Sequence, residues 1–225
     1  MKLSIIIPVL NEGDDLLPTL KSLSYLKKCD HEIIIVDGGS QDNTLAIAKP
    51  YADIILTSEK GRARQMNYGA SKANGDILWF LHADSLIPDN ADQLIVNALQ
   101  QTHSVWGRFN IRLSGSKWVF RIIEQFINKR SRLTGIATGD QGIFVLRREF
   151  EKLNGYAELP LMEDINLTKR LKKISLPICL QQTIITSSRR WESNGVIKTV
   201  MLMWYLRFAY FIGTPADKLI RLYKN

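Results

Sequence analysis

The run Gly75-Asp76-Ile77-Leu78-Trp79-Phe80-Leu81-His82-Ala83-Asp84 decides how this chain is read. Ile77 to Leu81 follow one another as bulky apolar residues with no polar break, the pattern of a strand covered on both faces of a parallel sheet. The run stops at His82-Ala83-Asp84, and Pro88-Asp89 then signal a loop and a new helix. A carboxylate past the C-terminal end of a central parallel strand stands where open α/β sheets hold their ligands. Capping of the next helix is the structural alternative for the same side chain.

Working outward, the same pattern recurs. Leu3–Pro8 reads as a first strand closed by Pro8, and Asp14 and Asp15 then open a helix carrying Leu16, Leu17, Leu20, Leu23 and Leu26. Glu32–Asp37 is a second buried strand, followed by Gly38-Gly39-Ser40 and a helix over Thr44–Lys49. Asp53–Leu56 is a short third strand, and a helix opens at Gly61-Arg62 and ends near Asn74-Gly75. Such strand–helix alternation predicts parallel βαβ units.

The second half predicts a strand over Val105–Leu113, an amphipathic basic helix over Lys117–Leu133 and a strand over Ile143–Leu146. A helix from Arg148, another over Ile165–Lys173, and one or two strands in Ile178–Thr186 follow. The expected fold class is α/β. The organisation is a unit over 1–191, with a nucleotide-binding half at 1–100 and an acceptor-side half at 101–191, and a helical tail over 192–225.

The chain has 225 residues, 45% of them hydrophobic, enough for one sizeable core. A formal net charge of +8 favours anionic partners such as nucleotides, nucleic acid or an anionic membrane face. Cys29 and Cys179 lie far apart without metal-ligand spacing and read as buried thiols of a reducing compartment. The first apolar run is too short for a secretion signal, and none reaches the roughly 20 residues that span a bilayer. A cytoplasmic protein, peripheral at most on the inner membrane face, is expected.

Three predicted strand ends carry acidic or amide groups to one sheet edge: Asn11 with Glu12, Asp37, and Asp84. Neither a phosphate-binding Gly-x-x-x-x-Gly-Lys loop nor a dinucleotide Gly-x-Gly-x-x-Gly follows the first strand. An acidic edge in a basic protein is reconciled by Mg²⁺ or Mn²⁺ bridging a diphosphate to Asp84.

These residues carry a resemblance. Ile7-Pro8-Val9-Leu10-Asn11-Glu12, Val36-Asp37-Gly38-Gly39-Ser40 with Asp42 and Thr44, and the run from Gly61 to Ala70 resemble family 2 glycosyltransferases of the GT-A fold, whose mostly parallel central sheet is flanked by helices. His82-Ala83-Asp84 occupies the place of that family's Asp-x-Asp motif, with His82 where Asp is usual. Gly139-Asp140-Gln141-Gly142 and Met162-Glu163-Asp164 match its acceptor-side segments.

The resemblance implies a nucleotide pocket of Pro8, Asn11, Glu12 and Asp37, with Arg62, Arg64, Asn67 and His82 bordering base, diphosphate or sugar. It implies Asp84 as metal ligand, Asp164 as general base supported by Glu163, and Asp140, Gln141, Arg190 and Trp191 on the acceptor side. The implied activity is inverting transfer of a sugar from a UDP- or GDP-linked donor to an acceptor hydroxyl.

The tail over Val196–Gly213 is apolar on most sides, rich in Trp and Tyr and interrupted by Lys198 and Arg207. An in-plane helix at an anionic membrane surface, a helix packed on the core, and a homodimer contact are all open for it. A nucleotidyltransferase and a non-catalytic nucleotide-binding module are the alternative functions. Nucleic-acid binding finds no interleaved basic and aromatic pattern.

Overall fold

Ile5, Ile6 and Ile7, Ile33 to Val36, and Ile77 to Phe80 are all buried, so three strands are covered on both faces as their apolar runs predict. They belong to β1 (Leu3–Val9), β2 (Glu32–Asp37) and β4 (Ile77–Phe80), joined by β3 (Ile54–Thr57) in a parallel half-sheet. Between them run α1 (Gly13–Leu23), α2 (Thr44–Ala48) and α3 (Arg62–Lys72). This computed structural model describes residues 1–224, and the backbone alone of Lys224.

The remaining elements are β5 (Ser85–Leu86), α4 (Ala91–Gln101), β6 (Trp106–Leu113), α5 (Trp118–Thr134), β7 (Phe144–Leu146) and α6 (Arg147–Lys152). They continue with α7 (Glu163–Leu171), β8 (Ile178–Thr186), α8 (Arg189–Ser193), α9 (Val196–Phe211) and α10 (Ala216–Lys224). One eight-stranded sheet results, in the order β3-β2-β1-β4-β7-β6-β8-β5. β7 runs antiparallel to both β4 and β6, and β5 antiparallel to β8, so the sheet is mixed rather than wholly parallel.

Alternation along each central strand divides the core into two layers. Ile5, Ile33 and Trp79 face Leu16 and Leu20 of α1 and Ile95 of α4. Ile6, Ile34, Val36, Leu78 and Phe80 face Ala63, Met66 and Ala70 of α3 and Leu167 of α7. Gly69 sets the spacing of α3, because a Cβ there would stand 2.7 Å from Ile6 and 2.9 Å from Val36. The sheet thereby presents the ends of β1, β2 and β4 on one edge, where Val9 pairs with Asp37.

Several expectations are corrected. Pro8 lies inside β1 opposite Val36 instead of closing the strand, whereas Ile178–Thr186, expected as one or two strands, is one. α7 begins at Glu163, not Ile165, so the acidic pair forms its first turn. Cys29 is exposed and Cys179 half-buried, not two buried thiols. Cys29 ends a 3₁₀ turn (Ser24–Cys29) whose next residue, Asp30, turns left-handed at the surface.

Candidate active site

The loops leaving β1 and β2 lock together. The Asn11 N–H donates to Ser40 Oγ at 2.9 Å, and Asn11 Oδ1 accepts from the Gln41 N–H at 2.8 Å. Asp37 is buried and accepts from the N–H groups of Gly39 and Ser40, both at 3.1 Å. Gln65 of α3, which the sequence reading passed over, donates from Nε2 to the carbonyls of Val9 and Val36. It stands three positions after Arg62 in a helix-opening run, a spacing that puts the two on one face of the helix.

Glu12 and Asp84 approach one another at this edge. Burial, then the Asp84 charge, lift Glu12 above the ordinary carboxylate range, against Arg189 and Arg62. Burial also lifts Asp84, opposed by its own N–H and by Arg62, with Asp15 adding to the rise. Carboxylates pushed up in this way mark a place where added positive charge is favourable. Among the described residues no three His, Cys, Asp or Glu side chains gather into a metal-binding group. One carboxylate completed by substrate phosphate oxygens is nevertheless a donor set that Mg²⁺ accepts, so Asp84 fits the part.

His82 departs from a charged role. Burial, and secondly Arg62, hold its imidazole well below its usual pKa, so the ring is neutral at pH 7. Its Nε2 is buried and finds no hydrogen-bond partner among the described residues.

On the opposite lip, Asp164 is held by two main-chain donors, Gly139 N–H to Oδ2 at 2.8 Å and Ile165 N–H to Oδ1 at 2.6 Å. Both oxygens retain a free lone pair. Burial, then the Asp164 charge beside it, push Glu163 up to about 7, with Arg62 opposing. Asp140 is lifted by burial and by Asp164, against Thr138, Arg130 and Arg207, and its Oδ1 is buried without a partner among the described residues. The Arg62 charge pulls down the pKa of Glu12, Asp84, His82, Glu163 and Tyr156, so one cation acts on groups at the ends of β1 and β4 and at the start of α7.

Other expected site residues have structural occupations. Arg64, two positions along the helix and so on another face, pairs with Glu59 and Glu158. Asn67 uses both ends of its amide on the backbone of Tyr156, at 2.9 and 2.8 Å. Gln141 closes a capping box with Thr138. Arg190 lies over the Tyr223 ring at 3.6 Å and donates to the Tyr223 carbonyl, while Trp191 packs on Leu113, Phe120 and Ile123. Tyr156 and Arg130 lie in stretches without a motif, and Arg207, visible in sequence only as a break in an apolar helix, carries no motif either.

Residues 4–153 match the family model described as glycosyl transferase family 2. The chain is 31% identical to the uncharacterized glycosyltransferase YibD of Escherichia coli over 61% of its own length and 42% of that protein. It is 26% identical to a dolichol-phosphate mannosyltransferase of Pyrococcus furiosus, covering all of this chain and 67% of that one. The chain spans about half the length of the bacterial curated relatives it matches.

Staphylococcus aureus TarS in complex with UDP-GlcNAc superimposes with a TM-score of 0.71 at 20% identity, over 83% of this chain and 58% of that one. A Pyrobaculum calidifontis mannosyltransferase in complex with GDP-Man and Mn²⁺ superimposes with a TM-score of 0.60 at 17% identity, over 81% and 56%. The sheet, curled and flanked by helices, is the GT-A fold of these neighbours. The chain belongs to glycosyl transferase family 2.

Proposed function

We propose that this chain transfers a sugar, with inversion, from a nucleotide-diphospho-sugar to an acceptor hydroxyl in the presence of Mg²⁺ or Mn²⁺. The observation that carries the reading is Gly139, whose N–H donates to Asp164 while a Cβ on it would stand 2.6 Å from His82 Nε2, so the His82–Asp84 segment and the Glu163–Asp164 segment meet at one site. UDP-GlcNAc and GDP-Man in the neighbours' complexes support a donor of this chemical class. The dolichol-phosphate and undecaprenyl-phosphate in relatives' names support an acceptor presented at a lipid surface, while the hydroxyl, which those phosphates do not offer as nucleophile, is what gives Asp164 a proton to take in this reading.

In this reading the locked loops after β1 and β2 receive the nucleoside, with Asn11, Glu12 and Asp37 as its polar lining. Arg62 meets the diphosphate. Asp84 holds the divalent ion, which when bound neutralises charge building on the leaving diphosphate. The neutral His82 offers its unpartnered Nε2 to the donor, an interaction that relieves a buried orphan group.

Asp164, its carboxylate fixed by Gly139 and Ile165, accepts the acceptor's hydroxyl proton. The hydroxyl oxygen forms a bond to the anomeric carbon while the bond to the diphosphate oxygen breaks. The electron pair leaves with the nucleoside diphosphate, and the proton ends on Asp164. Glu163 beside it, half protonated near pH 7, limits the negative charge that Asp164 must share.

The test is release of UDP or GDP from a panel of sugar nucleotides in Mn²⁺, with and without lipid-linked acceptors. Acceptor-stimulated release by wild type and none by Asp164→Asn supports the reading. No release from any donor, or equal release by Asp164→Asn, rejects it.

A further inference from the structure

A cavity of about 600 Å³ opens between α5, α7 and α9. Its wall carries Arg130, Lys169, Lys172 and Arg207 and, on one side, Phe208 and Phe211; no carboxylate lines it among the described residues. Arg130 keeps Nε and one terminal nitrogen buried without hydrogen-bond partners among the described residues. Lys172 donates to the Thr134 carbonyl at 2.7 Å, and Lys169 lies over the rings of Tyr210 and Phe211. Burial and its neighbour Arg207 push Arg130 down to about 10, only partly relieved by Asp140 and Asp164. Like charges gathered in a partly dry cavity with unfilled donors call for an anion.

The apolar side of this cavity continues along α9. That helix buries Thr199, Leu206 and Ala209 against its neighbours. On the face away from them Ile197, Met201, Trp204, Tyr205, Phe208 and Phe211 are exposed, Trp204 at 65% and Phe211 at 76%. α5 adds exposed Trp118, Ile122 and Phe126, and the two helices share the cluster around Phe120 and Ile123. At 16 residues α9 reaches only about 24 Å, and no described helix is long and apolar enough to cross a membrane. An aromatic, apolar face next to a cationic cavity suits a helix lying in the headgroup layer.

We propose that this cavity is a binding site for the phosphate of an anionic lipid, with the exposed faces of α9 and α5 resting in the membrane surface around it. The four cations take the headgroup phosphate, Arg130 in particular because its Nε and one terminal nitrogen have no partner among the described residues. The ring faces of Phe208 and Phe211 take the start of the hydrocarbon. Arg207 and all of α9 lie beyond residues 4–153 that match the family model. The site extends the acceptor side of the proposed function, since Ile165, on its wall, directly follows Asp164.

The experiment is flotation of the full chain with phosphatidylcholine vesicles. Vesicles containing phosphatidic acid, which carries a phosphomonoester, are compared with phosphatidylserine vesicles of equal surface charge and with neutral ones. Phosphatidic acid vesicles are expected to bind most tightly. Arg207→Gln and Lys169→Gln should each weaken that binding several-fold, about tenfold for Arg207→Gln, the scale of one lost charge-assisted hydrogen bond. Arg148→Gln, an exposed charge of α6, should leave it unchanged, with circular dichroism showing each variant folded.

Equal loss in Arg148→Gln and Arg207→Gln reduces the effect to bulk charge and overturns the site. Free glycerol phosphate binding as tightly as the vesicles overturns the lipid as its source. A stable dimer in light scattering that Phe208→Asp dissociates, with no vesicle binding, assigns the face to a second copy instead. UDP and GDP binding in Mn²⁺, measured on the same samples, reports separately on the donor side, so failure here is distinguishable from failure of the glycosyl-transfer reading.

Discussion

Gly139 lies so close to His82 that a Cβ on it would stand 2.6 Å from Nε2, while its N–H donates to Asp164. One residue thus joins the donor-side histidine to the acceptor-side carboxylate. Gly139→Ala must move the loop, the ring or both. It is expected to cost about 1–3 kcal/mol of stability, in the range of overpacked sites. Turnover should fall by about 100-fold, the scale of a roughly 1 Å misplacement of a reacting group. Urea unfolding and initial rates on the same preparation check both parts, and unchanged rates would contradict the coupling.

Asp164→Asn leaves an acceptor for the Gly139 N–H but removes the proton acceptor. Nucleotide affinity is expected to stay within about twofold, whereas transfer falls by about 10²- to 10⁴-fold, the usual worth of general base catalysis. Calorimetry and single-turnover kinetics separate the two effects.

Asn67→Ala removes both hydrogen bonds to the Tyr156 backbone. A stability loss of about 1–3 kcal/mol is expected, because the partner groups lose their bonds in a half-buried place. KM for donor should not move if the amide serves only this bridge. A large rise in KM with unchanged stability would return Asn67 to the nucleotide pocket.

Glu163 titrates in the folded chain near 7 instead of 4.5. Between those values the folded state binds more protons than the unfolded one, so this group makes stability fall as pH rises. Glu12, Asp84 and Asp140, also lifted chiefly by burial, act in the same direction. His82, held neutral in the folded state, acts in the opposite direction below about pH 6.5, so the readout is the difference between two melting profiles: from pH 5 to pH 8 Glu163→Gln is expected to gain stability relative to wild type. A constant difference between wild type and Glu163→Gln across this interval would contradict the assignment.

The parallel half of the fold was written in the chain because fully covered strands need unbroken apolar runs, and Ile33–Val36 and Ile77–Leu81 are such runs. The acids beyond those strands followed from strand order alone. The reversed β7 did not, since the three residues Phe144–Leu146 give no direction without their partners. Arg62 and Arg64 look equivalent in sequence, yet two helical positions turn them to different neighbours, one to the site and one to Glu59 and Glu158.

Arg207 was read as an interruption in an apolar tail. Only the packing of α9 against α7 reveals its charge acting on Asp164 and Asp140. Tyr156 sits in a loop between α6 and α7 with no periodic pattern around it, and it packs on nearby Phe150 and on Phe80, which is far away in sequence.

The most direct test of the central claim is calorimetric titration of UDP and GDP into wild type and Asp84→Ala, first with Mn²⁺ and then with EDTA. The account predicts that wild type binds one nucleotide in Mn²⁺, loses at least about 1.4 kcal/mol, or tenfold, in EDTA, and that Asp84→Ala shows the weak value in both. Equal affinity of wild type and Asp84→Ala in Mn²⁺ would contradict it.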